Sequence, residues 1–431
     1  MAGPVTMAVL GAGARGNVFA SFAEQFPERA RIVAVADPRA DRRDALADQL
    51  GVAAGQRFAD WRELAARERL ADAVVVATPD HEHAAPAARF AELGYHVLLE
   101  KPIAPTWAEC LQVVEAVERS GVILAVCHVM RYTAYTAAVK EVVATGRLGQ
   151  VVGVQHTEPV GWWHFAHAYV RGNWRRADAS GPSVLTKCCH DLDWLRYIVG
   201  RPPVAVSSHG GLHHFTAANR PDGAADRCLD CGVEADCPYS ATRLYLGFLE
   251  DPKRKRWPLS VVTTDLTERG VRQALRDGPY GRCVYACDND VADHQVTTIE
   301  FDGGVTATLT MSAFTPYARR WTRIMGARGF LDGDGRQVTV TDFVTGRAEP
   351  VEVADAASPA GGGHSGGDFG VIGAFADAVA TGDRWLIRTG PRESLDSHLM
   401  AFAAERSRQT GAPVPVSAPG DGGHLAQATL G

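Results

Sequence analysis

Short hydrophobic runs alternate with helix-like stretches through the first 130 residues of the chain. The runs lie at residues 5–10, 32–36, 73–77, 96–99 and 122–127. Between them, apolar residues recur at helical spacing, as at Cys110, Val113, Val114 and Val117. Strands that alternate with helices predict a parallel sheet covered by helices on both faces.

The pattern changes after about residue 150. Longer β-type runs lie at residues 204–208, 296–301, 305–311 and 323–325, and the triplet Asp302-Gly303-Gly304 joins the middle two as a tight turn. Such a turn pairs neighbouring strands antiparallel. Helical patterns return at residues 180–199, 369–381 and 392–408. The predicted fold class is therefore α/β, with a doubly wound parallel sheet followed by a second domain built on a mainly antiparallel sheet.

Composition narrows the classes of function. The chain has 431 residues, 46% of them hydrophobic and 22% charged, which is typical of a globular protein. No apolar run approaches the roughly 20 residues that cross a membrane. With 44 basic and 50 acidic residues there is no basic surplus to bind nucleic acid. The N-terminus lacks the pattern of an export signal, so we expect a cytoplasmic protein.

A glycine-rich turn follows the first predicted strand. Gly11, Gly13 and Gly16, with Ala14 and Arg15 between the last two, match G-x-G-x-x-G and precede a predicted helix. This pattern lets backbone N–H groups approach a dinucleotide pyrophosphate. We predict a Rossmann-type cofactor site here.

Asp37 ends the second predicted strand, about twenty residues beyond the glycines. A carboxylate at this position binds the ribose 2′-hydroxyl and repels a 2′-phosphate, which favours NAD over NADP. Arg39 and the Arg42-Arg43 pair keep NADP open, and Asp37 as a helix N-cap is the structural alternative.

Two loops follow the third and fourth predicted strands, where open parallel sheets bind ligands. The first contains Thr78, Pro79 and His83, and the second contains Glu100 and Lys101 before a proline. We expect these residues at the cofactor, with Lys101 as an active-site cation. The alternatives are a surface lysine paired with Glu100, and solvent-exposed histidines at a helix start.

These motifs, G-x-G-x-x-G, Asp after strand two, A-T-P-x-x-x-H and E-K-P, together resemble the glucose-fructose oxidoreductase and inositol dehydrogenase family. The resemblance covers nearly the whole chain and is strongest over residues 5–135. It implies an N-terminal Rossmann domain, a C-terminal α+β domain with an open antiparallel sheet, and NAD(P)-dependent chemistry on sugar or cyclitol hydroxyls. It also implies a homodimer or homotetramer.

The same resemblance places the catalytic residues at Lys101 and His190, with His190 three residues before Asp193 in a predicted helix. An imidazole suits removal of a hydroxyl proton. The structural alternative is a core histidine bonded to Asp193. The family often has Asp four residues before this His, but this chain has Thr186 there, and Lys187 beside it is a substitute.

An aromatic and polar segment at residues 162–175 precedes the His190 helix. Flat rings and hydrogen-bonding groups together suit a carbohydrate, although they also suit an interface. The residues predicted to bind substrate are Arg131, His164, Arg171, Asn173, Trp174, Lys187, Asp193 and His364.

Three cysteines, Cys228, Cys231 and Cys237, lie close together in a loop-like stretch. A C-x2-C pair is typical of a structural zinc site, which needs four ligands. The best candidates for the fourth are Cys283 and Cys287, and His213 or His214 comes next. Free or redox-active thiols and an iron–sulfur cluster are the alternatives.

We expect an NAD-binding domain at residues 1–130, a substrate and oligomerisation domain at 131–410 with a Cys-rich insertion at about 213–290, and a flexible tail at 411–431. The leading hypothesis for function is hydride transfer to or from a ring hydroxyl carbon of a sugar or cyclitol. The alternatives are a redox-neutral, NAD-dependent glycoside hydrolase and a non-catalytic nucleotide sensor.

Overall fold

The computed structural model describes residues 3–354 and 364–416. The first part of the chain forms a six-stranded parallel sheet in the order β3-β2-β1-β4-β5-β6. The strands are β1 (Val5–Leu10), β2 (Ala30–Ala36), β3 (Arg57–Phe58), β4 (Ala73–Val76), β5 (His96–Leu99) and β6 (Leu124–Val126). The predicted parallel sheet is confirmed, with β3 as an additional short edge strand.

Helices cover both faces of this sheet because its strands are apolar on both sides. The helices between its strands are α1 (Ala14–Gln25), α2 (Ala40–Gln49), α3 (Trp61–Ala65), α4 (Ala84–Glu92) and α5 (Trp107–Ser120). Phe22 of α1 packs in the core of one face, and Phe90 of α4 packs in the core of the other.

The second sheet has nine strands in the order β14-β13-β12-β11-β7-β10-β9-β8-β15. Its strands are β7 (Val151–Pro159), β8 (Pro203–Gly211), β9 (His294–Phe301), β10 (Thr306–Ser312), β11 (Trp321–Gly326), β12 (Gly329–Gly333), β13 (Val338–Asp342), β14 (Ala348–Val351) and β15 (Val414–Pro415). All neighbouring pairs are antiparallel except β7 with β10. A mainly antiparallel sheet is therefore confirmed.

One face of this sheet is open. Trp321 and Val296 project from it with 59% and 44% of their surfaces exposed. The opposite face is packed against helices, with Ile299 and Leu309 buried together with Leu192.

The remaining helices support and extend the second sheet. They are α6 (Ala134–Ala144), α7 (Trp162–Phe165), α8 (Ala177–Ser180), α9 (Ser183–Thr186), α10 (Cys189–Val199), α11 (Ala241–Gly247), α12 (Pro252–Arg254), α13 (Ser260–Val262), α14 (Glu268–Asp277), α15 (Gly367–Thr381) and α16 (Pro391–Thr410). Two π-helical segments lie at Ala166–Arg171 and Lys255–Leu259. Among the described residues, no helix is both long and apolar enough to cross a membrane.

The predicted helix at residues 180–199 is interrupted. Residue 180 ends α8, and the rest of the segment is divided between α9 and α10. Cys188 (ψ 3°), just before α10, is not helical. The Thr186 carbonyl, which a continuous helix would use internally, accepts a hydrogen bond from Lys101 Nζ. The break therefore lies where the two halves of the molecule meet.

The last two helices also join the halves. Phe369 and Phe375 of α15 pack with α1 on the parallel sheet, although they follow the second sheet in sequence. In α16, Leu395 packs against the parallel sheet and Leu399 belongs to the core of the second sheet. The expected flexible tail from residue 411 begins with β15, and residues 417–431 lie outside the described part.

Candidate active site

The glycine-rich turn closes around β1 and leaves room at one glycine. A Cβ on Gly11 (φ +93°) would lie 2.4 Å from the Ala77 carbonyl oxygen, and one on Gly16 would lie 1.9 Å from that of Gly11. A Cβ on Gly13 would meet nothing nearer than Arg42 Nη1, at 3.8 Å. Packing within the protein therefore requires glycine at positions 11 and 16 but not at position 13.

The room at Gly13 adjoins the start of α1, whose first N–H groups receive no side-chain cap from Gly13. Such N–H groups bind anions. The space and the donors together fit a dinucleotide pyrophosphate.

Asp37 is fixed beside this turn. Its Oδ2 accepts a hydrogen bond from Ala12 N at 2.7 Å and its Oδ1 accepts one from Arg39 N at 2.8 Å. Helix α2 begins at Ala40 with Arg39 as its cap residue, so the N-cap alternative for Asp37 is wrong. Arg39 pairs with Asp41 at 2.9 Å.

Arg15 ties the glycine turn to two other elements. Its Nε lies 2.5 Å from Glu100 Oε1 after β5, and its Nη2 lies 2.8 Å from Asp368 Oδ1 in α15. The two carboxylates raise the pKa of Arg15. Glu100 therefore has Arg15 as its ion-pair partner, and the alternative of a simple Glu100–Lys101 surface pair is wrong.

The loops after β4 and β5 are joined through His83. Its Nδ1 lies 2.6 Å from the Pro102 carbonyl oxygen and its Nε2 lies 2.9 Å from that of Thr78. The residue is 1% exposed, so the expected surface alternative is wrong for His83, while the His81 side chain is 59% exposed. His83 fixes the two loops to each other, and the Lys101–Pro102 peptide is cis.

Lys101 connects the parallel sheet to the second half of the molecule. Its Nζ donates to the Thr186 carbonyl oxygen at 2.6 Å and lies 5.9 Å from the centre of the Trp174 ring. Trp174 Nε1 donates to Asp80 Oδ2 at 2.8 Å. Burial raises the pKa of Asp80, against the charges of His83 and Lys101.

His190 lies in the first turn of α10, four residues after Thr186, and is 7% exposed. Its ring centre is 5.9 Å from that of His128, which follows β6. Burial, together with the charges of Arg131 and Lys101, lowers the pKa of His128 well below its usual range. Lys101, His128 and His190 thus cluster at the carboxyl ends of the parallel strands.

Sequence reasoning missed His128 and Asp80, although a signal was present. Each follows a strand of the parallel sheet by a few residues, as Lys101 does.

Arg131 and Asp193 bind each other. Arg131 Nε and Nη2 each donate to an Asp193 carboxylate oxygen at 2.7 Å, and both residues are buried. This bidentate pair satisfies both charges, so neither of these predicted substrate residues is presented to a ligand. Asp193 Oδ1 also lies 3.9 Å from His128 Nε2.

Lys187 belongs to a buried charge network. It lies 3.3 Å from Glu158 Oε1, and Arg320 contacts both Glu158 and Asp191. His156 Nε2 lies 3.0 Å from the same Asp191 carboxylate. Arg320 and His156 hold the pKa of Asp191 well below its usual range despite burial. Lys187 is therefore paired with a buried carboxylate.

The side chains of the aromatic segment at residues 162–175 lie in several different environments. Trp174 contacts the Lys101 site, as described, and Asn173 is exposed. His164 packs edge-on against Trp257 and Tyr317, at ring distances of 5.1 and 5.5 Å. Arg171 lies elsewhere, beside the cysteines, so its predicted contact with substrate is not supported. The side chain of His364 lies outside the described part.

The four cysteines Cys228, Cys231, Cys237 and Cys283 line one cavity. In the described part of the chain, no three His, Cys, Asp or Glu side chains are close enough together to hold a metal ion as the structure stands. All nine cysteines are free thiols.

Comparison with known proteins connects this site to a family. Residues 5–128 match the profile of an oxidoreductase family with an NAD-binding Rossmann fold, and residues 140–416 match that family's C-terminal α/β domain. Together these matches cover more than half of the chain.

Individual relatives are more distant. The chain is 30% identical over 207 residues to the 2,7-anhydro-N-acetylneuraminate hydratase of Mediterraneibacter gnavus, covering 48% of this chain and 52% of the relative. It is 27% identical over 254 residues to the scyllo-inositol 2-dehydrogenase (NAD(+)) of Bacillus subtilis, covering 56% and 68% respectively. For several other relatives the chain spans only 37 to 60% of their length.

The fold is shared with solved structures. An oxidoreductase from Agrobacterium radiobacter in complex with NAD⁺, L-tartaric acid and magnesium matches at a TM-score of 0.67 and 16% identity, covering 95% of this chain and 98% of that one.

Proposed function

Because the chain belongs to the glucose-fructose oxidoreductase and inositol dehydrogenase family, we propose that it transfers a hydride to or from a ring hydroxyl carbon of a sugar, sugar derivative or cyclitol. The observation that carries this proposal is the junction at Thr186. There, Lys101 from the parallel sheet bonds to the segment that leads directly into His190.

The two residues have complementary roles in this proposal. His190 removes the proton of the substrate hydroxyl during oxidation and returns it in the reverse direction. The Lys101 ammonium donates a hydrogen bond to the same oxygen and stabilises the negative charge that develops on it. The nicotinamide, when bound, supplies the hydride acceptor or donor.

Neighbouring residues hold these groups in place. His83 fixes the loop that carries Lys101. Asp80 accepts a hydrogen bond from the Trp174 indole and so holds that ring beside the Lys101 ammonium. The Trp174 ring offers a flat apolar surface next to a hydrogen-bond donor, which is the combination a pyranose or cyclitol requires. Lys187, whose side chain is 18% exposed, adds a further donor for substrate hydroxyls.

We assign NAD rather than NADP as the cofactor. Asp37 is buried against the glycine turn with both oxygens fixed by backbone N–H groups, and a carboxylate held there repels a 2′-phosphate. Arg42, near Gly13, is the nearby cation that favours the phosphorylated form. Measured affinities for the two cofactors decide between them.

A redox-neutral reaction is the second candidate, and the similarity to a hydratase favours it. In that reaction the hydride removed from the substrate is returned to it before product leaves. The same His190 and Lys101 serve both reactions, because each begins with oxidation of a hydroxyl.

One experiment separates the two. The protein is purified without added cofactor, denatured, and the released nucleotide is identified by mass spectrometry, and turnover is then followed with sugars and cyclitols. Reduced nicotinamide that accumulates with substrate supports the dehydrogenase. Stoichiometric retained NAD and product formation without net reduction support the redox-neutral reaction.

The open face of the second sheet is the surface we propose for self-association. The strand register places four side chains on this open face, near the centre of the sheet. They are Val296, Thr298, Thr308 and Trp321. Exposed apolar area on a sheet of this size is typical of an interface between copies of a chain.

A further inference from the structure

The cavity lined by Cys228, Cys231, Cys237 and Cys283 brings together two distant parts of the chain. An isolated antiparallel bridge pairs Arg227 with Arg282, one residue before Cys228 and Cys283 respectively. Cys283 N also donates to the Asp226 carbonyl oxygen at 2.8 Å. The backbone therefore fixes the fourth cysteine opposite the C-x2-C pair.

Other candidates for a fourth ligand have different partners. Cys287 Sγ contacts the Cys283 carbonyl oxygen at 3.2 Å. His214 Nε2 lies 3.1 Å from the Tyr285 hydroxyl. Neither lines the cavity, so the structure selects Cys283 among the alternatives that spacing left open.

A buried cation also faces this cavity. Arg171 is 1% exposed, its Nε and Nη2 donate to the carbonyl oxygens of Arg282 and Tyr239 at 2.7 Å, and its Nη2 lies 3.6 Å from Cys228 Sγ. In the described structure its Nη1 has no hydrogen-bond partner. A buried guanidinium with an unused donor beside neutral thiols lacks the negative charge that normally accompanies it.

We propose that this cavity binds one Zn²⁺ through the thiolates of Cys228, Cys231, Cys237 and Cys283, with Arg171 as the compensating cation. Binding forms four Zn–S bonds and releases four thiol protons to solvent, with no change in oxidation state. Four thiolates around Zn²⁺ carry a net charge of about −2. Arg171 offsets part of that charge, and its free N–H is available to a coordinated sulfur.

Metal binding draws the sulfurs closer than they are in the described structure, where their arrangement does not yet hold an ion. Cys228 begins one 3₁₀ turn, Cys231 directly follows it, and Cys237 directly follows a second one. Tetrahedral ligation needs Zn–S distances of about 2.3 Å.

A metal at this place explains how the insertion at residues 213–290 keeps its shape. Its separate core consists of only seven buried residues, Cys228, Ala241, Tyr245, Leu259, Val271, Leu275 and Tyr280. Cores of that size seldom hold a segment without a disulfide or a metal. The insertion contributes Trp257 beside His164, so the zinc also positions one wall near the proposed substrate region.

The test is metal analysis of the full chain, purified without chelator, by plasma mass spectrometry. About one zinc per chain is expected in the wild type, and a loss of roughly fivefold or more in Cys231→Ser and in Cys237→Ser. Cys287→Ser is the matched control, because the serine hydroxyl still donates to the Cys283 carbonyl oxygen. We expect this variant to retain the zinc.

A second measurement avoids dependence on the folding of the variants. Wild-type protein is titrated with an organomercurial, and released zinc is followed with a metal-binding dye. Release that tracks modification of thiols supports the proposal. Metal-free protein, a disulfide among the four cysteines, iron with acid-labile sulfide, or zinc retained equally in all variants overturns it.

Discussion

Lys101 and His190 divide the proposed chemistry between a fixed charge and a titratable ring. Lys101 is held by the Thr186 carbonyl at 2.6 Å, and His190 is almost buried one turn further along the chain. The two residues are 89 positions apart in sequence, and the packing of the two halves of the molecule brings them together. The chemistry therefore depends on side chains that neither half of the molecule supplies alone.

Replacement of His190 by Asn tests the proton-transfer role. We expect kcat to fall by about 10²–10⁴. Affinity for NAD should stay within about threefold, because the cofactor site lies on the parallel sheet. His81→Asn is the control, since the His81 side chain is 59% exposed, and it should keep wild-type activity. Equal loss in both variants would contradict the assignment.

Gly13→Ala separates cofactor binding from folding. The new methyl meets no atom of the protein closer than 3.8 Å, so stability should change by less than about 0.5 kcal/mol. It occupies the space assigned to the pyrophosphate, and the Kd for NAD should rise about tenfold or more, measured by calorimetry. Gly55→Ala, which meets nothing within 4 Å, is the matched control with unchanged affinity. Unchanged affinity in Gly13→Ala would place the cofactor elsewhere.

The sequence singles out Lys101, His190 and the glycines as candidates, because each stands at a recognisable distance from a strand or within a motif. It could not pair Arg131 with Asp193, which are 62 positions apart and were both expected to contact substrate. When two buried polar residues hydrogen-bond to each other, the sequence around each of them does not indicate which residue its partner is. Arg171, which was also expected to contact substrate, instead donates to the backbone carbonyl oxygens of Arg282 and Tyr239.

At the scale of elements, α16 is attached to the Lys101 loop through a histidine. Ile103 N donates to His398 Nε2 at 2.8 Å, and His398 Nδ1 lies 2.7 Å from the Ser394 carbonyl oxygen. Because Ile103 N can only donate, Nε2 must remain unprotonated. Burial lowers the pKa of His398 to about 3.

This attachment predicts loss of stability in acid. The folded pKa lies below the ordinary value, so the unfolded state binds more protons, and stability is full above about pH 6.5 and falls until about pH 3. His398 then accounts for about 2 kcal/mol lost between pH 7 and pH 5. Denaturant unfolding of wild type and His398→Gln at both pH values measures this, and the variant should lose less. An equal loss in the two proteins would contradict it.

Sequence periodicity found most strands and helices, but not where they pack. Helix α15 shows an apolar pattern that suits either sheet, and only the structure places Phe369 and Phe375 on the parallel one. The break between α9 and α10 coincides with a hydrogen bond from Lys101, 85 residues before Thr186, and no local pattern encodes that contact.

For the whole molecule, the open face of the second sheet predicts self-association. Trp321→Glu introduces a charge at its exposed apolar surface, and we expect the mass measured by light scattering to fall toward that of the monomer. Trp385→Glu is the control, because Trp385 is 90% exposed on the separate Arg384–Leu386 turn. An unchanged mass in Trp321→Glu would exclude this face as the interface.

The overall plan, a parallel sheet followed by a mainly antiparallel one, was predictable because hydrophobic periodicity differs between the two. The parallel pairing of β7 with β10 was not, since it joins strands about 150 residues apart. Spacing grouped three of the cysteines and offered Cys283 and Cys287 as candidates for the fourth ligand. The fold places Cys283, and not Cys287, in the lining of the cavity.

Transfer of a labelled hydrogen tests the central claim most directly. The protein with bound NAD is mixed with carbohydrates from cells grown in deuterated medium, then denatured, and the nicotinamide is examined for deuterium at C4. For a net dehydrogenation we predict deuterium at C4 in the wild type and its loss in His190→Asn. In the redox-neutral reaction the deuterium returns to the product, and we predict instead that deuterated substrate slows product formation. NAD that stays bound and acquires no deuterium from any fraction, together with a rate that deuteration leaves unchanged, would contradict hydride transfer.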